Sequence, residues 1–196
     1  MEYHSILSNV AKHISIDEKE KAFFISLLKP TLLKKKEFLL KAGQACVTIN
    51  YVDSGALRAF YQDHNDNEAT IMFAIADWWI TDMPCFIDQL PAMTSIEAID
   101  DSVVFQLNKR DLDTLYIKVP KFERFFRVLM QNSYVREQLR TLQNLSLTAE
   151  ERYDKFLGKY PDMVKQLTQK QIASYLGITP EFLSTIRKKL SKGTLS

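Results

Sequence analysis

Close to the end of the chain, Glu181, Ser184, Thr185 and Lys188 place one carboxylate, two hydroxyls and one ammonium within eight residues. At about 100° per residue these four fall on one arc of a helix, and Leu183, Ile186 and Leu190 fall on the opposite one. An arc of that composition can accept and donate hydrogen bonds at base edges in a DNA major groove while its apolar back holds a second helix. Arg187, Lys189 and Lys192 flank the arc, and Gln169 and Lys170 precede it, as candidates for phosphate contacts. The plainer reading is a helical hairpin that closes a fold, with Lys188-Lys189 opposing the helix dipole.

The residues that must position the arc are unusually explicit. Thr168-Gln169-Lys170-Gln171 forms a capping box, and Leu167 and Ile172 occupy the two positions of a hydrophobic staple. Gly177 suits a left-handed helix end, and Thr179-Pro180 supplies an N-cap and a first-turn proline for the next helix. Ala173 is small enough for the two helices to approach closely. The spacing predicts a helix-turn-helix with Thr179 at the start of the outward-facing helix.

Other chemistry is poorly supported. His4, His13 and His64 lack H-x-H spacing, so a metal-dependent, cupin-like enzyme is the weakest alternative, and neither catalytic nor metal-binding residues are expected. Cys46 and Cys85 are too few for a disulfide framework and read as reduced thiols near the core. Trp78, Trp79, Met83 and Phe86 suit either a core or the lining of an apolar effector pocket, which would make the chain a sensor of an unidentified small molecule. Lys34-Lys35-Lys36 reads as a solvated edge that discourages strand pairing.

The chain has 196 residues, 46% of them hydrophobic, enough to bury a sizeable core. No apolar run reaches the roughly 18 residues of a membrane helix, and the N-terminus has no secretion-signal pattern, so the expected location is the cytoplasm. Residues 1–147 hold 17 Lys+Arg against 19 Asp+Glu, net −2, whereas residues 148–196 hold 9 against 5, net +4. The basic excess at the C-terminal end suits a polyanionic partner or an ordinary solvated face.

Ser15-Ile16-Asp17-Glu18 has a capping-box pattern, followed at helical spacing by Phe23, Phe24, Leu27 and Leu28 before Pro30. Strands are expected over residues 37–41, 47–53, 56–62, 69–73, 95–99 and 103–107, as in a small antiparallel barrel or sandwich. Asn108 is the expected N-cap of a short helix, and a long helix begins near Pro120 and breaks at the capping box Thr148-Ala149-Glu150-Glu151. Within it Phe125, Val128, Asn132, Val135, Leu139 and Leu142 follow the 3-4 spacing of a two-stranded coiled coil. The stripe can pack on the chain's own barrel, but Phe122, Phe126, Leu129 and Met130 form a second apolar face, which favours barrel plus partner. A homodimer with Asn132 facing its counterpart is expected. The division is 1–118, 119–147 and 148–196.

This order resembles the Crp/Fnr family of transcription regulators along nearly the whole chain. Gly43 and Gly55 resemble the turn glycines of the family's cyclic-nucleotide-binding β-roll. Gln171-Ile172-Ala173, Leu176-Gly177-Ile178 and Thr179-Pro180-Glu181 resemble its helix-turn-helix, with Glu181 at the place of a base-contacting glutamate. The resemblance implies an α+β fold: a jelly-roll-like antiparallel β-roll, a long dimerisation helix and a winged-helix-type domain. It also implies double-stranded DNA with a pseudo-palindromic operator and RNA polymerase as partners. The family's phosphate cassette is not matched: Ile80 and Thr81 stand at its G-E pair, and Pro91-Ala92-Met93-Thr94 has no arginine. Cyclic AMP is therefore not expected, the effector is unknown, and no cofactor or iron-sulfur cluster is implied. Pro180 and Thr185 replace arginines of the cyclic-AMP branch, so the operator should differ. The short tail from Lys192 to Ser196 gives the expectation of a reduced wing.

Overall fold

The computed structural model describes residues 2–193, the side chains of 191–193 excepted, so the expected wing lies outside the described residues. Two four-stranded antiparallel sheets face one another, in the orders β1-β8-β3-β6 and β2-β7-β4-β5. The strands are β1 (Leu28–Leu33), β2 (Phe38–Leu40), β3 (Thr48–Ser54), β4 (Ala56–Gln62), β5 (Glu68–Ile75), β6 (Trp79–Ile80), β7 (Ser95–Ala98) and β8 (Ser102–Asn108). Their inner residues, among them Val52, Leu57, Ala74, Ile96 and Val104, are fully or almost fully buried between the sheets. This is the alternation that a sandwich-like roll demands. Gly43 and Gly55 both sit at φ +84°. At Gly55 a Cβ would also overlap the Ser102 hydroxyl and lie 2.7 Å from Ser102 Cα, so that turn excludes any side chain.

Two expectations at the N-terminal end are corrected. The capping box is formed by Asp17 and Glu20 rather than by Ser15 and Glu18: Asp17 Oδ1 accepts from Glu20 N at 2.9 Å and Glu20 Oε2 accepts from Asp17 N at 2.8 Å. The resulting helix, α2 (Glu18–Ser26), stops before Leu28, which begins β1. Pro30 is accommodated there because β1 is an edge strand paired only with β8. A preceding helix, α1 (His4–Ala11), and a short one, α3 (Met83–Asp88), were not expected.

Asn108 caps α4 (Lys109–Lys118) by accepting from Arg110 N at 3.0 Å, and α5 (Lys121–Ser146) follows. The first turns of α5 are fastened to the roll: Phe122, Phe125 and Phe126 are buried and form edge contacts with one another and with Trp79. Beyond Met130 the helix runs out from this core. The Thr148/Glu151 capping box ends that run and starts α6 (Ala149–Lys159), and α7 (Gln169–Leu176) and α8 (Pro180–Gly193) complete the described chain.

The three last helices share one apolar core, with Tyr153, Phe156, Ile172, Leu176, Leu183 and Ile186 buried. That core continues into the roll through Phe73, whose ring meets Phe156, Tyr160 and Tyr175 at 5.2 to 6.1 Å. β5 is an edge strand, and α7 covers it: Ser174 Oγ accepts from Thr70 N at 2.8 Å and donates to the Glu68 carbonyl at 2.6 Å. An open edge is thereby closed by side-chain hydrogen bonds rather than by another strand.

Candidate nucleic-acid interface

The turn between α7 and α8 is built by the residues that the sequence singled out. Thr168 Oγ1 accepts from Gln171 N at 3.2 Å while Gln171 Oε1 accepts from Thr168 N at 2.9 Å. Leu167 and Ile172 are both buried beneath this cap. Gly177 closes α7 in the left-handed conformation at φ +68°, and Thr179 Oγ1 accepts from Phe182 N at 3.2 Å to start α8. Ala173 is buried where the two helices meet.

On α8, Leu183 and Ile186 are fully buried, and Glu181, Thr185 and Lys188 are exposed on the other side. The Thr185 hydroxyl donates back to the Glu181 carbonyl at 3.2 Å, leaving its lone pairs outward. Lys170 is exposed at the start of α7, 3.9 Å from Glu68. Leu190, expected inside, is 42% exposed.

Three candidates are used differently from the expectation. The Gln169 amide donates to the Pro180 carbonyl and to Ser184 Oγ (2.6 Å), so Gln169 and half-buried Ser184 join the two helices instead of facing outward. Arg187 is half-buried, with Nε donating to the Tyr153 hydroxyl at 3.0 Å, which ties α8 to α6. A helical wheel cannot separate these positions from phosphate-facing ones, since each is polar and adjacent to the exposed arc. Lys189, a flanking candidate, pairs with Glu150 at 3.2 Å.

The expected dimer seam divides in the same way. Phe125 is fully buried in its own chain's core, where Trp79, Phe122 and Phe126 surround it, so it is unavailable to a partner. Val128 is half-buried, and Asn132, Val135, Leu139 and Leu142 are exposed, the three apolar ones by 50 to 59%. The 3-4 period runs unbroken through both stretches, which is why spacing alone could not locate the change.

The cassette region reveals a residue that sequence reasoning missed. Asp82, the N-cap of α3, is buried, and its Oδ2 accepts from Met93 N (2.9 Å), Thr94 N (2.8 Å) and Thr94 Oγ1 (2.9 Å). Burial pushes this carboxyl up, but the hydrogen bonds from Thr94 and Cys85 outweigh it and hold the pKa below the ordinary carboxylate value. The backbone donors of the 93–94 loop, where the resemblance puts part of a phosphate seat, are thus taken by the chain's own anion. Ile80 is buried, and the Thr81 hydroxyl donates to the Thr48 carbonyl at 2.8 Å. Arg58, on β4 of the roll, is buried and paired with Glu68 and Glu97 at 2.8 and 2.6 Å.

Trp78, Trp79 and Met83 line a cleft of about 360 Å³ between the roll and α5, while Phe86 lies in the core. Cys46 and Cys85 are buried free thiols. Among the described residues no group of three or more His, Cys, Asp and Glu is placed to hold a metal, and no helix is long and apolar enough to cross a membrane.

Comparison with known proteins agrees with this architecture. Residues 30–118 match the cyclic nucleotide-binding domain. The fold is similar to that of the c-di-GMP-responsive global regulator CLP of Xanthomonas campestris, at 14% identity and a TM-score of 0.75, covering 91% of this chain and 94% of that one. It is also similar to a Crp/Fnr-family transcriptional regulator from Eubacterium rectale (16%, TM-score 0.73, 91% and 85%). FixK2 of Bradyrhizobium japonicum is a third neighbour (18%, TM-score 0.69, 85% and 86%). No curated protein matches the sequence. The fold is similar to that of these regulators: a roll that matches the cyclic nucleotide-binding domain, a long helix and a helix-turn-helix in one α+β molecule.

Proposed function

We propose that this chain is a sequence-specific DNA-binding transcription regulator of the Crp/Fnr type, acting in the cytoplasm as a homodimer and not responding to cyclic AMP. The observation that carries the reading is the exposure of Glu181, Thr185 and Lys188 on a helix whose back, Leu183 and Ile186, is locked inside. Glu181 accepts from a cytosine amino group, Thr185 contacts a neighbouring base edge, and Lys170 and Lys188 meet phosphates. Thr179 caps the helix at the groove, and Gln169, Ser184 and Arg187 hold it in place rather than touch DNA. RNA polymerase is the further partner that this mode of action requires.

Dimerisation uses the exposed run of α5, with Val128 at its margin and Asn132, Val135, Leu139 and Leu142 along the seam. A buried Asn132 pair would fix its register. The division 1–118, 119–147 and 148–196 then corresponds to sensor roll, dimer helix and DNA-reading unit. The Asp82 arrangement supports independence from cyclic AMP: a cyclic phosphate would have to displace a fully bonded internal carboxylate, and residues 91–94 supply no guanidinium to receive it. The cleft beside Trp78 and Trp79 favours a second reading, a small-molecule sensor that gates DNA binding.

Selection from a random duplex pool tests the main reading. It is expected to enrich an inverted repeat with half-sites about one helical turn, roughly 34 Å, apart. A pool that remains unenriched after repeated rounds would refute sequence-specific recognition.

A further inference from the structure

Where α5, α6 and α7 meet, five cations surround one cleft of about 290 Å³: Arg136, Arg140, Arg152, Lys155 and Lys159. Among the described residues none of the five forms an ion pair, although shorter-range pairs occupy lysines elsewhere on the surface. Two of the guanidiniums are fixed in advance by main-chain carbonyls. Arg140 donates to Thr70 O (3.0 Å) and Tyr175 O (3.3 Å), and Arg152 donates to Leu147 O (2.8 Å) and Leu176 O (3.3 Å). Carbonyls orient these groups without neutralising them. Arg152 Nε is buried and has no hydrogen-bond partner, the only such side-chain atom among the described residues. An unsatisfied buried donor on a guanidinium is costly unless a ligand supplies the acceptor.

Two of the remaining cations, Arg136 and Lys159, are held by an aromatic face. Arg136 lies 4.8 Å and Lys159 5.5 Å from the Trp78 ring. Desolvation first, and then repulsion from Arg136 and Arg140, lowers the pKa of Lys159, with Glu137 opposing more weakly. Like charges gathered without an ion-pair partner lose stability to mutual repulsion, which a bound anion would relieve. The cleft also has an apolar wall, from Leu139, Phe156 and Leu176, and its volume is near the lower end of small-molecule sites.

We propose that this cleft binds a small molecule carrying two or more phosphoryl groups. The DNA backbone is a less suitable source of the phosphates. At about 100° per residue, Arg152, Lys155 and Lys159 share one side of α6, while Glu150 and Tyr153, which hold α8, lie roughly on the opposite side. The cleft therefore faces away from the outward helix. It is bounded by α5, α6 and α7, and Arg140 and Ser174 tie that junction to the roll, so an anion there bears directly on how the helix-turn-helix is docked.

Isothermal titration of the full chain with inorganic tripolyphosphate, pyrophosphate and orthophosphate at fixed ionic strength tests the proposal, and it does not depend on any DNA activity. Tripolyphosphate is expected to bind most tightly, with affinity falling more than tenfold in K155Q/K159Q and in R136Q but within twofold of wild type in the equal-charge control K19Q/K29Q. Circular dichroism and thermal melting establish that each variant is folded. No binding to the wild type, or equal losses in the cleft and control variants, would overturn the site. A parallel titration with a short duplex distinguishes the sources: K155Q/K159Q should leave duplex affinity within twofold. If instead the variant weakens the duplex strongly and tripolyphosphate does not bind, the cleft is a DNA contact and the proposal fails.

Discussion

At the scale of single residues, Asp82 and Glu181 are two carboxylates with opposite circumstances. Asp82 is buried and accepts hydrogen bonds from two backbone N–H groups and a hydroxyl through Oδ2, so its charge is part of the fold. Asp82→Asn is expected to lower stability at neutral pH by about 2 kcal/mol, the scale of hydrogen bonds to a charged group. Because the folded-state pKa is depressed, this contribution is complete above the unfolded value of about 4 and is lost as pH falls through the folded value. Denaturation of both proteins between pH 7 and 3 should show their stabilities converging toward acid; a constant difference would mean that the carboxylate charge is not what holds the loop. Glu181 is exposed and supports nothing beneath it. Glu181→Gln should leave thermal stability unchanged while costing about 1 to 3 kcal/mol of discrimination at one base pair of the selected site. Competition binding against singly substituted duplexes measures this, and uniform weakening at every position would remove Glu181 from base reading.

At the scale of elements, the exposed run of α5 makes the next prediction. Val135→Glu together with Leu139→Glu places two charges on a seam that is about half exposed in the single chain, so the monomer should keep its fold. Sedimentation should show the wild type as a dimer and the variant as a monomer; a variant that remains dimeric would move the interface elsewhere. The same helix shows what was legible in advance. The turns carrying Thr148, Thr168, Gly177 and Thr179 were visible because capping chemistry is local, and strands β3, β4, β5, β7 and β8 because their β-branched and aromatic runs are bounded by turn residues. Helix α1 has no side-chain cap, and β6 is two residues long, so neither leaves a pattern to recognise. Spacing alone places Phe125 in the seam because a 3-4 period is the same whether the facing surface is the chain's own roll or a partner. Gln169, Ser184 and Arg187 look like DNA contacts in the sequence because their partners, Pro180 and Tyr153, are fixed by tertiary packing. Asp82 leaves no sequence pattern because its donors lie eleven and twelve residues away in a loop.

At the scale of the whole molecule, the helix-turn-helix is not a loose appendage. Phe73 of the roll enters its core, Ser174 and Arg140 cover the edge of β5, and the outward arc of α8 is still exposed. A helix-turn-helix so closely joined to the roll and to α5 can have its orientation set by whatever those parts bind. The central claim is that two such units grip one duplex through phosphates and base edges together. Equilibrium binding of the chain to its selected inverted repeat, measured by fluorescence anisotropy across salt concentrations with the mass of the complex determined in parallel, tests it most directly. The expected result is two chains per duplex and an affinity that falls linearly on logarithmic axes as salt rises, as release of counterions from several contacted phosphates requires. One chain per duplex, or an affinity indifferent to salt, would contradict the account.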